Sequence, residues 1–598
     1  LAGPLLAVPL IRQVALVLFR SQRQSVTDAL AGNPITLGVS LLPVVLVVGV
    51  VVGLAVLRTV YRASTLNILA LRQEAARSRR TPLWRKLYLD VLAALLALAG
   101  YGTLAVANAI VSSMPDSQNI SGMLALAPLV LVAPLFLMVA ITLLFLRAFP
   151  LVLRLGERLA ARGRGAPALL AFAQLARSAR QSTQVIVLLA LAAGFALMTV
   201  SELATTDRYA TSAATFDAGA DFSGRPVNPA ADYTQLAGVQ SAAKGYIAVA
   251  QLHAPGQPTQ DVQEVLVSAV ESERYAATIT WPDVNGTESV STLMNLLRKN
   301  AQTADLADTV PAIVDGATPT RLHASVGSIL TLWMPDSQQQ PVRFRVVAVV
   351  QHIPQMYIGP VAVTGGNMLV DYTRYTQAIA AANSTASAAP PAPNYVWLRT
   401  AGDSASLRSL RAAFASGPYQ LAESTRGPIN LEMHDLRAEI QDLHNGALYI
   451  DLTGTLTLGA IAALLLALLS TVVTLWIATC DRQVSFALLR ALGSGPLRIR
   501  RQVVWEHAFV CAVGLALGGL LGVLLTVTMA PTMPTLIFSE RFGGQIQDGG
   551  LPMRLIWPVQ TLALTVGMLA VVCLGTIVLA ARAAARPALA AVLRLNED

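Results

Sequence analysis

Seven stretches of this chain are each apolar for long enough to cross a lipid bilayer, and no single soluble core could hide them all. A helix needs about 20 apolar residues to span the hydrocarbon layer. The stretches run roughly Leu37–Leu57, Val91–Val111, Met123–Leu146, Gln184–Ala204, Leu452–Thr479, Ala508–Ala530 and Pro558–Ala581. A shorter run, Leu1–Phe19, contains Pro4, Pro9 and Arg12 and reads as the remainder of a further span. Charged residues make up 13% of the 598, about half the share in ordinary soluble proteins. A soluble enzyme of ordinary composition and a disordered chain are both excluded.

Basic residues orient the spans. Arg58–Lys86, Arg147–Arg180, Arg482–Arg501 and the stretch from Arg582 to Arg594 hold most of the arginine, and all four fall on one side of the alternating spans. The positive-inside rule makes that side cytoplasmic. Loops Ser112–Gly122 and Pro531–Trp557 are poor in basic residues, as the opposite side should be; Arg20 and Arg23 are the discord. The net charge of +9 therefore reads as topology and not as a nucleic-acid footprint. The long polar segment, about Thr205–Leu448, lies outside the cytoplasm.

That segment of about 240 residues reads as an α+β domain. Val342–Val350 and Ala312–Val314, the latter between Pro311 and Asp315-Gly316, have strand character. Ser406–Ala415 and Ile429–Leu443 have helical character, and the Ala/Pro-rich stretch Ala378–Asn394 reads as a surface loop. The three cysteines, Cys480, Cys511 and Cys573, all lie in or beside apolar runs, so the domain has no disulfide framework.

The two ends echo one another. Leu57–Glu74 and Ala581–Glu597 each place two arginines four apart at the cytoplasmic end of a span, Arg58 with Arg62 and Arg582 with Arg586. That spacing puts each pair on one helix face, where it can anchor to lipid headgroups. The echo suggests a two-repeat chain whose first repeat is incomplete before Leu1.

After the fifth span comes Cys480-DRQVSFALLRALGSGPLRIRRQVVWEH-Ala508, an amphipathic, helix-patterned cytoplasmic stretch broken at Gly493 and Gly495. Arg482, the run Phe486-Ala-Leu-Leu-Arg-Ala-Leu-Gly493, the basic stretch and Glu506 together resemble the FtsX-like permeases, which include the MacB and LolC/LolE types of ABC-transporter membrane subunit. Ser485 stands where that family often has Glu. The order of one span, a large outside domain and three spans resembles the family's unit over Gln184–Ala581. The two extra spans opened by Trp84–Asp90 resemble the connector of its ten-span members. Pro311–Asp315, Val326–Leu332 and Val346–Val350 resemble a MacB-type outside domain.

The resemblance implies that a separate cytoplasmic ABC ATPase dimer binds ATP and drives the permease through a short cytoplasmic helix. Arg482, Phe486, Leu488, Leu489, Arg490, Leu492 and Gly493 would form that ATPase-contacting element. The bland alternative is an amphipathic helix lying on the membrane. Pro167–Arg180 is a second interfacial helix for which anchoring is the better reading.

Other chemistry is missing from the sequence. There is no Gly-x-x-x-x-Gly-Lys-Ser/Thr, His-Glu-x-x-His or Gly-x-Ser-x-Gly motif. His253, His323, His352, His434, His444 and His507 have no metal-ligand spacing, and His434 and His444 read as surface residues. No catalytic residue, metal site or cofactor is expected in this chain; ATP would be bound by the partner subunit. Asp90, Glu202, Asp451 and Glu506 sit at span ends, which favours an interfacial role over proton relay. Gly514, Gly518 and Gly522 form successive Gly-x-x-x-Gly pairs, a surface for close helix packing within the chain or against a second copy.

The expected whole is an α-helical integral membrane protein with about seven full transmembrane helices, one partial span and one large α+β extracytoplasmic domain. Residues 1–60 end the first repeat and 61–165 hold a cytoplasmic segment and two connector spans. Residues 166–204 hold an interfacial helix and the first span of the second repeat, 205–448 the outside domain, and 449–598 a three-span permease domain with its coupling segment at 481–503. The expected function is an ABC-transporter permease in a bacterial cell membrane, moving a hydrophobic, lipid-linked or peptide substrate. The alternative is a relay that activates an extracytoplasmic cell-wall hydrolase. Expected partners are the ATPase dimer and membrane lipid, with room for an extracytoplasmic protein and no nucleic acid.

Overall fold

The computed structural model describes residues 88–113, 127–162, 179–252, 264–281, 289–302, 309–337, 340–354, 366–383, 390–422, 433–481, 495–529 and 554–585, with isolated positions at 50, 53, 54, 57, 61, 171, 172 and 175. The apolar runs at Leu37–Leu57 and Leu1–Phe19, the Arg58/Arg62 pair, Arg586 and the coupling segment from Arg482 to Gly493 lie outside the described residues, apart from isolated positions in the first of these.

Among the described residues six long helices carry the apolar runs. They are α1 (Leu89–Ser113), α2 (Ala127–Arg162), α3 (Ala179–Ala218), α10 (Ala447–Asp481), α11 (Pro496–Met529) and α12 (Val559–Ala585). Among the described residues five segments are long and apolar enough to cross a membrane: Ala133–Arg158, Ser182–Ala218, Leu452–Thr474, Leu497–Met529 and Val559–Arg582. Leu89–Thr103 is a shorter apolar helix. Helix bounds exceed the apolar runs because charged flanks continue the helix. α2 passes through Arg147 and Arg154 to Arg162, and α11 begins before Arg498, Arg500 and Arg501, which the sequence reading placed in connecting loops.

Between α3 and α10 lies a sheet domain. Its elements are β1 (Phe222–Gly224), β2 (Val239–Gln251), β3 (Glu264–Val270), α4 (Ser272–Thr278), α5 (Val290–Ala301), β4 (Val310–Val314), α6 (Ala317–Leu322), β5 (Ile329–Leu332), β6 (Val342–Val349), β7 (Gly366–Asp371), α7 (Tyr372–Ala382), β8 (Tyr395–Thr400), α8 (Ser404–Ala415), β9 (His434–Asp435) and α9 (Leu436–Asn445). The strands form one sheet in the order β5-β6-β4-β7-β3-β2-β8-β1-β9. β3–β7 and β4–β6 pair in parallel and the other neighbours antiparallel.

The central strands are apolar on both faces because both faces are covered. Along β3, Val265, Val267 and Ala269 join a core closed by Tyr375 and Ile379 of α7. Leu266 and Val270 join the opposite core, closed by Leu293, Met294 and Leu297 of α5. Helix starts are set by short polar side chains that accept a backbone N–H: Ser289 caps α5, Asp371 α7, Asp403 α8 and Asp435 α9.

Two expectations shift. Ala378–Ala382 is the last turn of α7 and not loop, since Ile379 and Ala382 fill the core. The helix placed at Ile429–Leu443 begins at Leu436, because His434 and Asp435 pair with β1 as the edge strand.

A buried knot holds β4 to β7. Asp315 accepts from the Thr318 hydroxyl at 2.7 Å and from the Asn367 side-chain amide at 2.7 Å. Gly366 lies beside it at φ +106°, where a Cβ would collide with the Thr318 hydroxyl and stand 3.0 Å from the Asp315 carboxylate. Gly366→Ala combines backbone strain with overpacking and is expected to cost the domain about 2–4 kcal/mol. Thermal unfolding of the full chain in detergent, with hydrogen exchange of the β4 and β7 peptides as the domain readout, checks this; an unchanged transition contradicts it.

Candidate functional site

The membrane bundle is centred on α3 and α11, the two spans most enclosed by protein; α2, α10 and α12 are largely uncovered. α3 and α11 touch along small residues. A Cβ on Gly518 would sit 2.6 Å from the Ala193 Cβ and 3.0 Å from the Ala190 carbonyl oxygen. A Cβ on Gly514 or Gly522 would come within 2.8 Å of Leu189 or Leu197, and one on Gly194 within 2.9 Å of Leu521. Such seams let helix backbones approach closely. The Gly-x-x-x-Gly stripe is therefore filled by α3 of the same chain, while Gly519, with nothing within 4 Å of its would-be Cβ, faces away.

The connector pair packs against this centre. Phe149 and Leu153 of α2 share a cluster with Val185, Ile186, Val510 and Leu517. Arg147 donates to Asp90 at 2.6 Å, tying α2 to the first turn of α1, and its guanidinium lies 6.0 Å over the Tyr88 ring. Asp90 thus sits at a helix end as expected, but as a buried member of an ion pair. Of the Pro167–Arg180 element, Ala171 and Leu175 are buried, and the Phe172 ring stacks edge-on against Phe509 at 4.7 Å. These described positions face protein and not lipid. Glu506 is also buried, within α11.

The link from bundle to sheet domain is short on both sides. α3 has 40 residues, about 60 Å at 1.5 Å per residue, twice the hydrocarbon thickness. Its outer half enters the domain directly: Gly219 turns the chain at φ +67° and β1 starts at Phe222. On the return, α9 ends at Asn445 and α10 starts at Ala447, so Gly446 alone separates them. Tyr209, Ala210, Ala213 and Ala214 of α3 pack on Leu443 of α9. His444 contacts Asp207 at 3.0 Å, His434 contacts Glu439 at 3.4 Å, Arg437 contacts Asp221 at 3.4 Å and Arg411 donates to Asp435 at 2.6 Å. His434 and His444 are partly buried neck residues and not the surface residues expected. The chain's order alone does not show this, because their partners Glu439 and Asp207 come from other turns and other helices.

The residues expected to contact an ATPase, Arg482 to Gly493, lie outside the described part; α10 runs up to them at Asp481 and α11 resumes after them at Pro496. Arg582 is exposed in the last turn of α12. Among the described residues no cluster of His, Cys, Asp and Glu could hold a metal ion.

Residues 457–589 match the family model for the FtsX-like permease C-terminal domain. Over that segment the chain is similar to the FtsX-like permeases. The matched residues cover most of α10 and all of α11 and α12, and the described ones form the half of the bundle that packs on α3. Together with the five apolar segments long enough to cross a membrane, this makes the chain a multi-pass membrane protein carrying a large sheet domain between α3 and α10. No curated protein matches the chain. Among solved structures it is similar, at 13% identity and a TM-score of 0.18, to the extracellular domain of the noncanonic ABC-type transporter YknZ from Gram-positive bacteria, over 32% of this chain and 84% of that one. The seam formed by Gly514, Gly518 and Gly522 lies inside the FtsX-like match, while its partner face, Ala190 to Leu197, lies outside it.

Proposed function

We propose that this chain is the permease subunit of an ABC transporter, driven by a separate cytoplasmic ATPase, whose stroke moves the sheet domain on the far side of the membrane. The observation that carries the reading is the FtsX-like match on α10–α12 joined to the sheet domain by two nearly uninterrupted helices. The cytoplasmic element from Arg482 to Gly493 links α10 to α11, so a force on it acts on both at once. α11 is seamed to α3, and α3 enters the sheet without a linker. Motion at the cytoplasmic face would reach the domain as rigid-helix displacement, because a continuous helix does not absorb it. The transported class is hydrophobic, lipid-linked or peptide. Activation of a cell-wall hydrolase is the outcome to consider if the domain moves with no substrate in the membrane.

The rigid neck can be tested by replacing Gly446 with an eight-residue Gly/Ser linker, which makes this joint a flexible coil. The expected result is an ATPase that still associates, while ATP no longer changes hydrogen exchange in the sheet domain. An ATP response equal to wild type contradicts transmission through α9 and α10.

A further inference from the structure

Glu202 does not sit at the end of its helix. α3 continues to Ala218, and Glu202 is 1% exposed within it. Among the described residues neither of its carboxyl oxygens has a partner, and the hydroxyls of Thr199, Ser201 and Thr206 are buried and unpartnered as well. The contrast is Thr205, whose hydroxyl bonds back to the Ser201 carbonyl at 2.8 Å and accepts from the Ile556 N–H at 3.2 Å. Thr199, Glu202 and Thr206 recur at i, i+3 and i+7, so they share one stripe.

The stripe faces α10. Phe195, two turns before Glu202 on that side, lies with its ring 3.0 Å from the Cβ position of Gly459. α10 is a single layer there: Thr453 and Ala460 are buried, whereas Thr455, Ile461 and Leu465 are exposed. On that side α10 is the only described helix covering Glu202. Asp451, early in α10, falls at about the level of Glu202; the other charged groups near it among the described residues are otherwise placed. On α3 Asp207 is engaged by His444 of α9 and Arg208 is exposed; Arg554 before α12 is exposed; among the described residues of α11 the polar ones at this level are Thr526 and Thr528.

An unpartnered carboxyl group in an apolar setting costs several kcal/mol, and so do orphan hydroxyls. A metal ion does not meet the need, since the oxygens are strung over about 10 Å of one helix and cannot enclose a sphere. An ammonium group on an apolar body does, because its N–H groups can donate to the carboxylate and a flanking hydroxyl while the body beds beside Phe195. We propose that the α3–α10 interface around Glu202 binds the ammonium group of a lipid-soluble amine. This deepens the transporter reading by naming a substrate class, and it rests on that reading only for the step of transport. The amine can come from an ethanolamine lipid headgroup or from a free amphiphile.

The test is binding of monodansylcadaverine to the full chain in phosphatidylglycerol nanodiscs, followed by dansyl emission. Wild type should saturate, Glu202→Gln should weaken the midpoint at least about ten-fold, and Glu202→Asp should fall between. The N-acetylated dye, which lacks the charge, should bind wild type as weakly as the amine binds the Gln variant. Added phosphatidylethanolamine should compete if the headgroup is the ligand and leave the midpoint unchanged if a free amine is. Equal binding of the amine and its N-acetyl derivative to wild type overturns the proposal even if the variant fails to fold. Equal binding of the amine to wild type and a folded Gln variant, or no saturable binding at all, overturns it too. No ATPase is present in this assay, so its outcome is independent of whether the coupling account holds.

Discussion

Gly518→Leu is expected to break the membrane bundle, whereas Gly519→Leu one residue away leaves it intact. At Gly518 the first added carbon already lies 2.6 Å from the Ala193 Cβ and 3.0 Å from a backbone oxygen of α3. Backbone cannot move aside as a long side chain can. Accommodating leucine means pushing α11 from α3 over the whole seam, which also opens the contacts at Gly514, Gly522 and Gly194. Overpacking of a well-fitted core costs about 1–3 kcal/mol and sometimes more; here the obstacle is backbone on a central helix, so the upper end or beyond is expected. Gly519 has open space around it, and leucine there adds apolar surface where the neighbours are apolar or lipid. Thermal unfolding and size-exclusion behaviour of the two variants in detergent give the comparison. Equal stability contradicts the α3–α11 seam. A variant that folds normally as a monomer but loses self-association shows that the stripe serves a second copy.

Leu489→Asp combined with Arg490→Glu is expected to weaken binding of the ATPase by at least about 30-fold, the loss of about 2 kcal/mol carried by a residue at the centre of an interface. The chemistry is two-sided. Leu489 would fill an apolar groove, and a carboxylate there is desolvated without a partner. Arg490 would pair with an acid, and reversing its sign turns attraction into repulsion. The same change on a helix merely lying on lipid would detach it from anionic headgroups and leave the ATPase bound. Affinity of the purified ATPase for wild-type and doubly changed permease in nanodiscs therefore separates the two readings, and unaltered affinity contradicts the coupling role.

Much of the architecture is legible in the sequence because one property, length of apolar run, determines it. α10, α11 and α12 follow directly from Leu452–Thr479, Ala508–Ala530 and Pro558–Ala581. β6 is readable from Val342–Val350 and α8 from Ser406–Ala415, since each is a local pattern. What escapes is whatever depends on distant partners. The strand order, with β4 between β6 and β7, rests on pairings far apart in the chain. Ala378–Ala382 looks like low complexity until Tyr375 and Ile379 anchor its helix in the core. Glu202 looks terminal because the apolar run stops near it, although the helix goes on to Ala218. The glycine stripe is visible as spacing, but its partner is not: only the structure chooses α3 over a second copy.

A separate ATPase is expected to drive this permease. The most direct measurement is purification of the chain from its own membranes in mild detergent, with mass-spectrometric identification of what accompanies it and an assay of ATP hydrolysis. The expected result is a P-loop ATPase in the purified complex and ATP hydrolysis that disappears when Leu489 and Arg490 are both changed. A chain that purifies intact with no ATPase, and with no ATP hydrolysis restored by extract from the same cells, would contradict it.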